Sequence, residues 1–328
     1  MRFEPARSAR LTAMPLVALT LTATAGAQES RPLWPDLTLS AAAAAAAQDS
    51  MLKGKIGEAP SGGQGVEPAR DVFQVKTVEV RPGELREEQP VGDYDQPKWT
   101  TFRRFPSTRV YLQTPPGGAQ FEQWFELRKK KSRRGDDETR LRQELEFGLG
   151  HRMQLDLYMR EEHVRNGVNS TYEWAGYSAE LRYALGDWGE ICGNPTLYFE
   201  WVFNDGEPDK IEPKLLLGGE LARGWHWGTN LIHERTLAGR PDRTEEWAAA
   251  ASVSRTIVDE GFSAGVTSTY SYESEPGAPK REYTREWLLG PSFQLVPHPR
   301  AAIDIEPLFG LTGESKRLKL FIVFSWHF

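Results

Sequence analysis

Charged side chains recur at every second position through much of this sequence, and that spacing could build either a polar channel or a network of ion pairs. Side chains of both signs on one face can line a water-filled lumen whose electric field selects polar or charged solutes. Opposite charges on neighbouring segments can instead pair and close the same lumen. Both interpretations stay open, and the first predicts the pore-lining residues Arg140, Arg142, Glu144, Asp156, Arg160, Glu180, Arg182, Glu200, Glu212, Lys214, Glu234, Asp304 and Glu306.

Histidine is another residue type that could do chemistry here, and the chain has six histidines. A hydrolase needs a nucleophile beside a general base, or histidines at metal-binding spacing. His233 stands next to Glu234 near the end of a predicted strand, but no local motif supplies a serine nucleophile. We therefore predict no catalytic residue, no metal site and no cofactor, and keep a hydrolase as the third of three alternatives.

Strict alternation of apolar and charged residues indicates that strands position these groups. In TRLRQELEFGL, residues 139–149, apolar side chains predominate at the odd positions and charged ones occupy the even positions through Glu146. A strand separates these two sets onto opposite faces, whereas a helix would mix them. RMQLDLYMR repeats the pattern directly after Gly150 and His151, which predicts a tight hairpin.

About twelve segments of this kind follow one another from Ala119 to the end of the chain. Most of them are longer than a typical strand of a soluble protein, which has about five or six residues. About nine to eleven residues, tilted by roughly 45°, are what a strand needs to cross a bilayer. The predicted strands are 119–129, 138–149, 152–161, 172–185, 195–204, 211–221, 225–235, 245–256, 262–272, 285–296, 301–311 and 317–328.

The connections between these segments alternate in character. Those after even-numbered strands are mostly short, such as Gly150-His151, and those after odd-numbered strands are longer and charged, such as KKKSRRGDD. Short turns at one end and long polar loops at the other are typical of a bacterial outer-membrane barrel. A soluble barrel or sandwich is the alternative, but a twelve-stranded interior is too wide for one apolar layer to fill.

Composition narrows the possible classes of protein further. Charged residues make up 26% of the 328 residues and the formal net charge is −6, which argues against nucleic-acid binding. Outside the extreme N-terminus, no uncharged apolar window is long enough for a spanning helix. Cys192 is the single cysteine, so an internal disulfide is excluded.

The N-terminal part differs from the alternating region. Residues 1–27 combine arginines, an apolar run and Ala25-Gly26-Ala27, which predicts a cleaved signal peptide. Residues 28–118 are rich in Ala, Pro and Gly, which predicts a largely flexible periplasmic arm, with TRVYLQTPPGG as a short strand at its end. The barrel is predicted over residues 119–328.

Aromatic residues near the predicted strand ends fit the two interfacial girdles of a membrane barrel, where amphipathic rings lie at headgroup depth. This interpretation assigns to the girdles Trp124, Trp188, Trp225, Trp227, Trp247, Trp287, Trp326, Tyr183, Tyr270 and Tyr272.

The last strand, LKLFIVFSWHF, resembles the C-terminal insertion signal of bacterial outer-membrane barrels. The residues that carry the resemblance are Leu320, Ile322, Phe324, Trp326 and the terminal Phe328. It implies a Gram-negative outer membrane as the location and the barrel-assembly machinery as a partner, recognised through strand pairing. NPTLYFEW and EPKLLLGGEL are similar to segments of small barrels grouped with the phenol-degradation meta-pathway transporter family, a similarity that assigns no functional residue.

These observations predict an all-β protein, a closed antiparallel transmembrane β-barrel of about twelve strands with a flexible N-terminal periplasmic arm. The expected function is an outer-membrane channel for diffusion or facilitated uptake of small polar or aromatic solutes. A non-conducting structural or adhesive barrel is the main alternative. The expected partners are outer-membrane lipid, the assembly machinery and small solutes, but no nucleic acid.

Overall fold

Twelve antiparallel strands close into one barrel, as the alternation predicted. The structure is a computed structural model that describes residues 85–131, 137–166, 169–239, 242–274 and 283–328. Among these residues, no helix is long and apolar enough to cross a membrane. The strands are β1 (Ala119–Lys129), β2 (Asp137–Gly150), β3 (Met153–Asn166), β4 (Asn169–Ala184), β5 (Thr196–Asn204), β6 (Lys210–Ala222), β7 (Trp225–Thr236), β8 (Glu245–Val258), β9 (Phe262–Ser274), β10 (Tyr283–His298), β11 (Ala301–Gly310) and β12 (Leu318–His327).

The barrel closes where β12 pairs with β1. Their register places Phe324 opposite Gln123, and the Phe328 N–H donates to the Ala119 carbonyl over 3.1 Å. Because every barrel strand has two neighbours, no unpaired edge is left to recruit another chain. The apolar terminal strand is therefore paired along its backbone, and its apolar face points outward.

The two faces of each strand differ as the sequence pattern predicted. On β2, the inward Glu144 and Glu146 are fully buried, whereas the outward Leu145 is 39% exposed. Exposed apolar side chains recur around the outside, as lipid contact requires. They include Leu157, Leu181, Leu197, Phe199, Trp201, Leu231, Val253, Leu289, Ile322, Phe324 and Trp326.

The two ends of the barrel differ in their connections. Four of the five links at one end span two or three residues, 151–152, 223–224, 259–261 and 299–300, and the fifth is 185–195. We call this the short-turn end, and both the first residue of β1, Ala119, and Phe328 lie there. The opposite, long-loop end carries the links 130–136, 167–168, 205–209, 237–244, 275–282 and 311–317.

Residues 85–118 fold inside the barrel, and we call them the lumenal segment. They form two short 3-10 helices, Arg86–Glu88 and Lys98–Thr101, and a two-residue ladder between Pro90–Val91 and Gln96–Pro97. The composition had predicted this stretch as part of a flexible periplasmic arm. Trp99, Phe105, Tyr111 and Leu112 pack into one buried cluster instead, which supplies the apolar contacts that a flexible arm lacks. The predicted signal peptide and residues 28–84 lie outside the described residues.

The predicted short strand TRVYLQTPPGG does not form. Tyr111 has a φ of 54°, which interrupts an extended conformation. A closed barrel offers no free strand edge on which such a strand could pair, so the backbone here is bound by side chains of the wall. Asn230 shows this directly: its side chain accepts from the Arg109 N–H at 2.8 Å and donates to the Arg109 carbonyl at 2.7 Å.

A charge placed on the outer face tests the orientation of the barrel in lipid. Leu231 is 51% exposed near the middle of β7. We expect Leu231→Arg to lower the free energy of unfolding in lipid vesicles by about 2–4 kcal/mol, because an arginine there would meet the hydrocarbon core. Leu237→Arg, one residue beyond the end of β7, should cost about 0–1 kcal/mol. Equal losses in urea titrations of the two variants would contradict a lipid-facing exterior.

Candidate functional site

Arg103 anchors the lumenal segment to an acidic part of the wall. Its Nε donates to Glu122 at 2.6 Å, and its Nη2 donates to Glu144 at 3.2 Å and to Glu146 at 2.9 Å. All four side chains are essentially inaccessible to solvent, since none exceeds 1% exposure. Buried carboxylates of this kind need a guanidinium nearby as their counter-charge.

Arg109 makes a second anchor one strand further round the wall. Its Nη2 donates to Glu144 at 3.2 Å and to the Tyr158 hydroxyl at 2.7 Å, and lies 3.5 Å from Glu180. Burial disfavours the charged guanidinium, but the carboxylates of Glu144 and Glu180 outweigh it and raise the pKa of Arg109 above its ordinary value. Arg109 therefore remains a cation in the closed lumen.

Further contacts join the lumenal segment to other strands. Arg104 donates a hydrogen bond to Glu87 of the same segment and lies 2.6 Å from His226 Nδ1 on β7.

The residues after Arg104 contact three more strands. Ser107 donates hydrogen bonds to Glu306 on β11 from its backbone N–H and its hydroxyl. The hydroxyls of Thr108 and of Ser252 on β8 are 2.8 Å apart. Gln113 and Thr114 both donate their backbone N–H to Gln154 on β3. Contacts spread over so many strands hold the segment across the lumen.

Two glycines make room for the segment on the facing wall. Gly218 on β6 and Gly228 on β7 pair with each other, and Val110 packs onto both. A Cβ at Gly228 would lie 2.7 Å from Val110 Cγ2 and 3.0 Å from Thr108 Cγ2. The wall therefore has a recess where a side chain would otherwise push the segment away.

Trp124 lies in the lumen, which corrects its predicted place in an interfacial girdle. It is 3% exposed, and its indole Nε1 donates to Glu122 at 3.0 Å and to Glu144 at 2.8 Å. The position has the same parity as Glu122 along β1, so alternation alone could have placed it inward. Trp188 is also misplaced by the girdle prediction, since its ring packs edge-on against Trp99 and Tyr111 of the lumenal segment.

The buried wall is strongly acidic. Among the described barrel strands, Arg182 is the one buried Arg or Lys, and it pairs with Asp156 at 2.7 Å and with Glu180. Two carboxylate triplets are close enough to hold a metal ion, Glu122–Glu144–Glu146 and Glu144–Asp156–Glu180, and arginines reach into both. The buried acids of the strands are Glu122, Glu144, Glu146, Asp156, Glu180, Glu200, Asp304 and Glu306.

Above the lumenal segment, a cavity of about 570 Å³ fills the part of the lumen toward the long-loop end. Its floor includes Ser107 and Arg109 of the segment, with Trp124 and Tyr198 from the wall. Ion pairs cross its sides, including Lys210 with Glu234 at 2.8 Å. We call this cavity the vestibule.

The predicted pore-lining residues occupy two levels of the inward face. One group lines the vestibule: Arg140, Arg142, Arg160, Glu200, Glu212, Lys214 and Glu234. The other group is buried in the wall at the level of the lumenal segment: Glu144, Asp156, Glu180, Arg182, Asp304 and Glu306. Both interpretations of the charged face therefore describe part of the lumen, since a paired network lies at one level and an open polar space at the other.

Sequence reasoning missed Arg103, Arg104 and Arg109, because they lie in the stretch predicted as flexible. The signal was present: FRRFPSTRVYL combines arginines with large apolar residues, unlike the Pro/Gly-rich stretches before it. The hydrolase candidate finds no new support. The His233 ring stacks on Trp247 with centroids 4.2 Å apart, and Glu234 is engaged by Lys210.

Comparison with known proteins relates the fold to outer-membrane barrels. No family model matches the sequence, and no curated protein matches it. An outer-membrane channel from Pseudomonas putida F1 aligns with a TM-score of 0.52 at 10% identity, over 66% of this chain and 98% of that one. The NanC porin aligns with a TM-score of 0.43 at 13% identity, over 63% of this chain and 98% of that one. The β domain of the Bordetella autotransporter BrkA aligns with a TM-score of 0.45 at 12% identity, over 65% of this chain and 100% of that one.

At these identities the similarity concerns the fold alone. The channel from Pseudomonas putida F1 and this chain share the architecture of a closed antiparallel β-barrel. The similarity to the phenol-degradation meta-pathway family has no support from a family model. The chain folds as an outer-membrane β-barrel with an occupied lumen.

Proposed function

We propose that this protein is an outer-membrane channel for small solutes, and that the lumenal segment is its plug. The vestibule receives solutes from the long-loop end, which faces the cell exterior in barrels with this arrangement of loops. Passage to the short-turn end requires the plug to move. One observation carries the proposal: a polar lumen leads from the vestibule to a plug whose contacts with the wall include hydrogen bonds and ion pairs.

Gly228→Val tests this proposal without changing any charge. The valine would collide with Val110 and Thr108, and overpacking of this kind costs about 1–3 kcal/mol. That cost falls on the plugged state, so the ratio of open to plugged barrels should rise roughly 5- to 150-fold. In planar bilayers, the wild-type mature chain should be closed for most of the recording, and Gly228→Val should show a larger open fraction.

Gly313→Val is the matched control. Gly313 lies in the loop between β11 and β12, and a Cβ there would have no atom within 4 Å. Its recordings should equal those of the wild type. If Gly228→Val releases the plug to protease and still passes no current, the alternative of a non-conducting structural barrel takes the place of the channel.

The solute and the assembly route are further parts of the proposal. The similarity of two strands to the phenol-degradation meta-pathway transporter family suggests small aromatic solutes among the candidates, which the aromatic floor of the vestibule would accommodate. Recognition of Phe328 and the apolar residues before it by the assembly machinery is proposed from the terminal pattern. Outer-membrane lipid would contact the exposed apolar band.

A further inference from the structure

The wall around Arg103 has the composition of a guanidinium-binding site. Carboxylates of Glu122, Glu144 and Glu146 surround the guanidinium, and its central carbon lies 4.6 Å from the centroid of the Trp124 ring. An indole face attracts a cation through its quadrupole. Planar guanidinium also matches carboxylate geometry better than a spherical cation does.

The wall supplies this site, and the plug supplies its occupant. Trp124 belongs to β1 and holds its ring in place by donating to two of the same carboxylates, at 3.0 and 2.8 Å. These contacts lie within the wall and do not require Arg103. A second guanidinium, that of Arg142, already packs on the same ring. Its central carbon lies 4.2 Å from the ring centroid, and Arg142 lines the vestibule. The indole is therefore a platform for guanidinium groups on the path from the vestibule to the plug.

The plug arginines leave some buried polar atoms without hydrogen-bond partners. Arg103 Nη1 and Arg109 Nη1 are buried and have no hydrogen-bond partner among the described residues, and Oδ2 of the buried Asp304 has none either. Unsatisfied buried polar groups cost free energy in the plugged state. A free guanidinium cation in a hydrated lumen could satisfy the carboxylates without those losses, and it could therefore compete with the plug.

We propose that the site formed by Trp124, Glu122, Glu144 and Glu146 binds small guanidinium cations, and that Arg103 of the plug occupies it until such a solute arrives. The binding site deepens the proposed function and rests on it, because a solute that replaces Arg103 would also open its own path. The class of solute is a monosubstituted guanidine with a small apolar or polar tail.

Release of the plug by methylguanidinium chloride tests the site. The Gly228→Val barrel in detergent is treated with chymotrypsin, which cuts after aromatic residues such as Phe102 and Tyr111 and has no guanidinium-binding pocket. Cleavage within residues 85–118 is followed by mass spectrometry. Methylguanidinium at millimolar concentration should increase cleavage at least about threefold over equimolar sodium chloride, because a cation–π contact distinguishes the two cations. Glu122→Gln in the same background should lose that difference. Glu314→Gln, the same change in the exposed loop between β11 and β12, should keep it.

The outcomes separate this inference from the channel itself. Equal cleavage in methylguanidinium and sodium chloride would mean that ionic screening loosens the plug, and the guanidinium site would be wrong. A difference that survives Glu122→Gln would also overturn it. A methylguanidinium response in a barrel that passes no current would support the site while contradicting the channel.

Discussion

Arg103→Ala is expected to expel the plug from the barrel. The substitution removes the guanidinium that pairs with the buried Glu122 and Glu146, while Glu144 keeps Arg109 at 3.2 Å, and removing one partner of a buried ion pair costs about 3–5 kcal/mol. The open barrel escapes this cost because water can solvate the three carboxylates. The ratio of released to plugged barrels should therefore rise roughly 10²- to 10⁴-fold.

Limited proteolysis measures this release. Trypsin should cut the Arg103→Ala protein within residues 85–118 far faster than the wild type, while the strands stay intact. Arg255→Ala is the control, because Arg255 is exposed on the outer face of β8 and its guanidinium lies over the Trp225 ring, at 5.6 Å from the centroid. Unchanged protection of the segment in Arg103→Ala would mean that other contacts hold the plug.

The barrel could be predicted from the sequence almost completely. Alternation locates β1 at 119–129 and β7 within one residue of its observed end, because a strand with lipid on one side and a polar lumen on the other has to alternate. The same periodicity put all the predicted pore-lining side chains on the inward face. The same alternation places the Trp124 side chain inward. The prediction of an interfacial girdle overlooked this, because it considered only how close each aromatic residue is to a strand end.

The plug could not be predicted in the same way. Residues 85–118 have no periodicity, because their side chains satisfy individual wall residues instead of repeating along a strand. Arg103 meets carboxylates on β1 and β2, and Thr108 meets Ser252 on β8, which stands 144 positions away in the chain. Contacts over such separations leave no local pattern. The acidic excess of the wall was visible in the sequence, but the source of its counter-charge was not.

A disulfide between the plug and the wall should block the proposed channel. The Thr108 and Ser252 hydroxyl oxygens are 2.8 Å apart, so sulfurs at these positions lie within reach of a bond of about 2.05 Å after small rotations. Cys192 is exposed and is replaced by Ser to prevent wrong pairing. Arg103→Ala is included so that the reduced barrel is open. The plug is then held or freed by the oxidation state alone.

Single-channel recording of this Thr108→Cys, Ser252→Cys protein during addition of a reductant tests the central claim, that the solute path runs through the space occupied by the plug. The oxidised protein should pass no current, and current should appear in the same bilayer once the disulfide is reduced. The parent without the two new cysteines should conduct throughout. Equal currents before and after reduction would contradict the claim, because the path would then bypass residues 85–118.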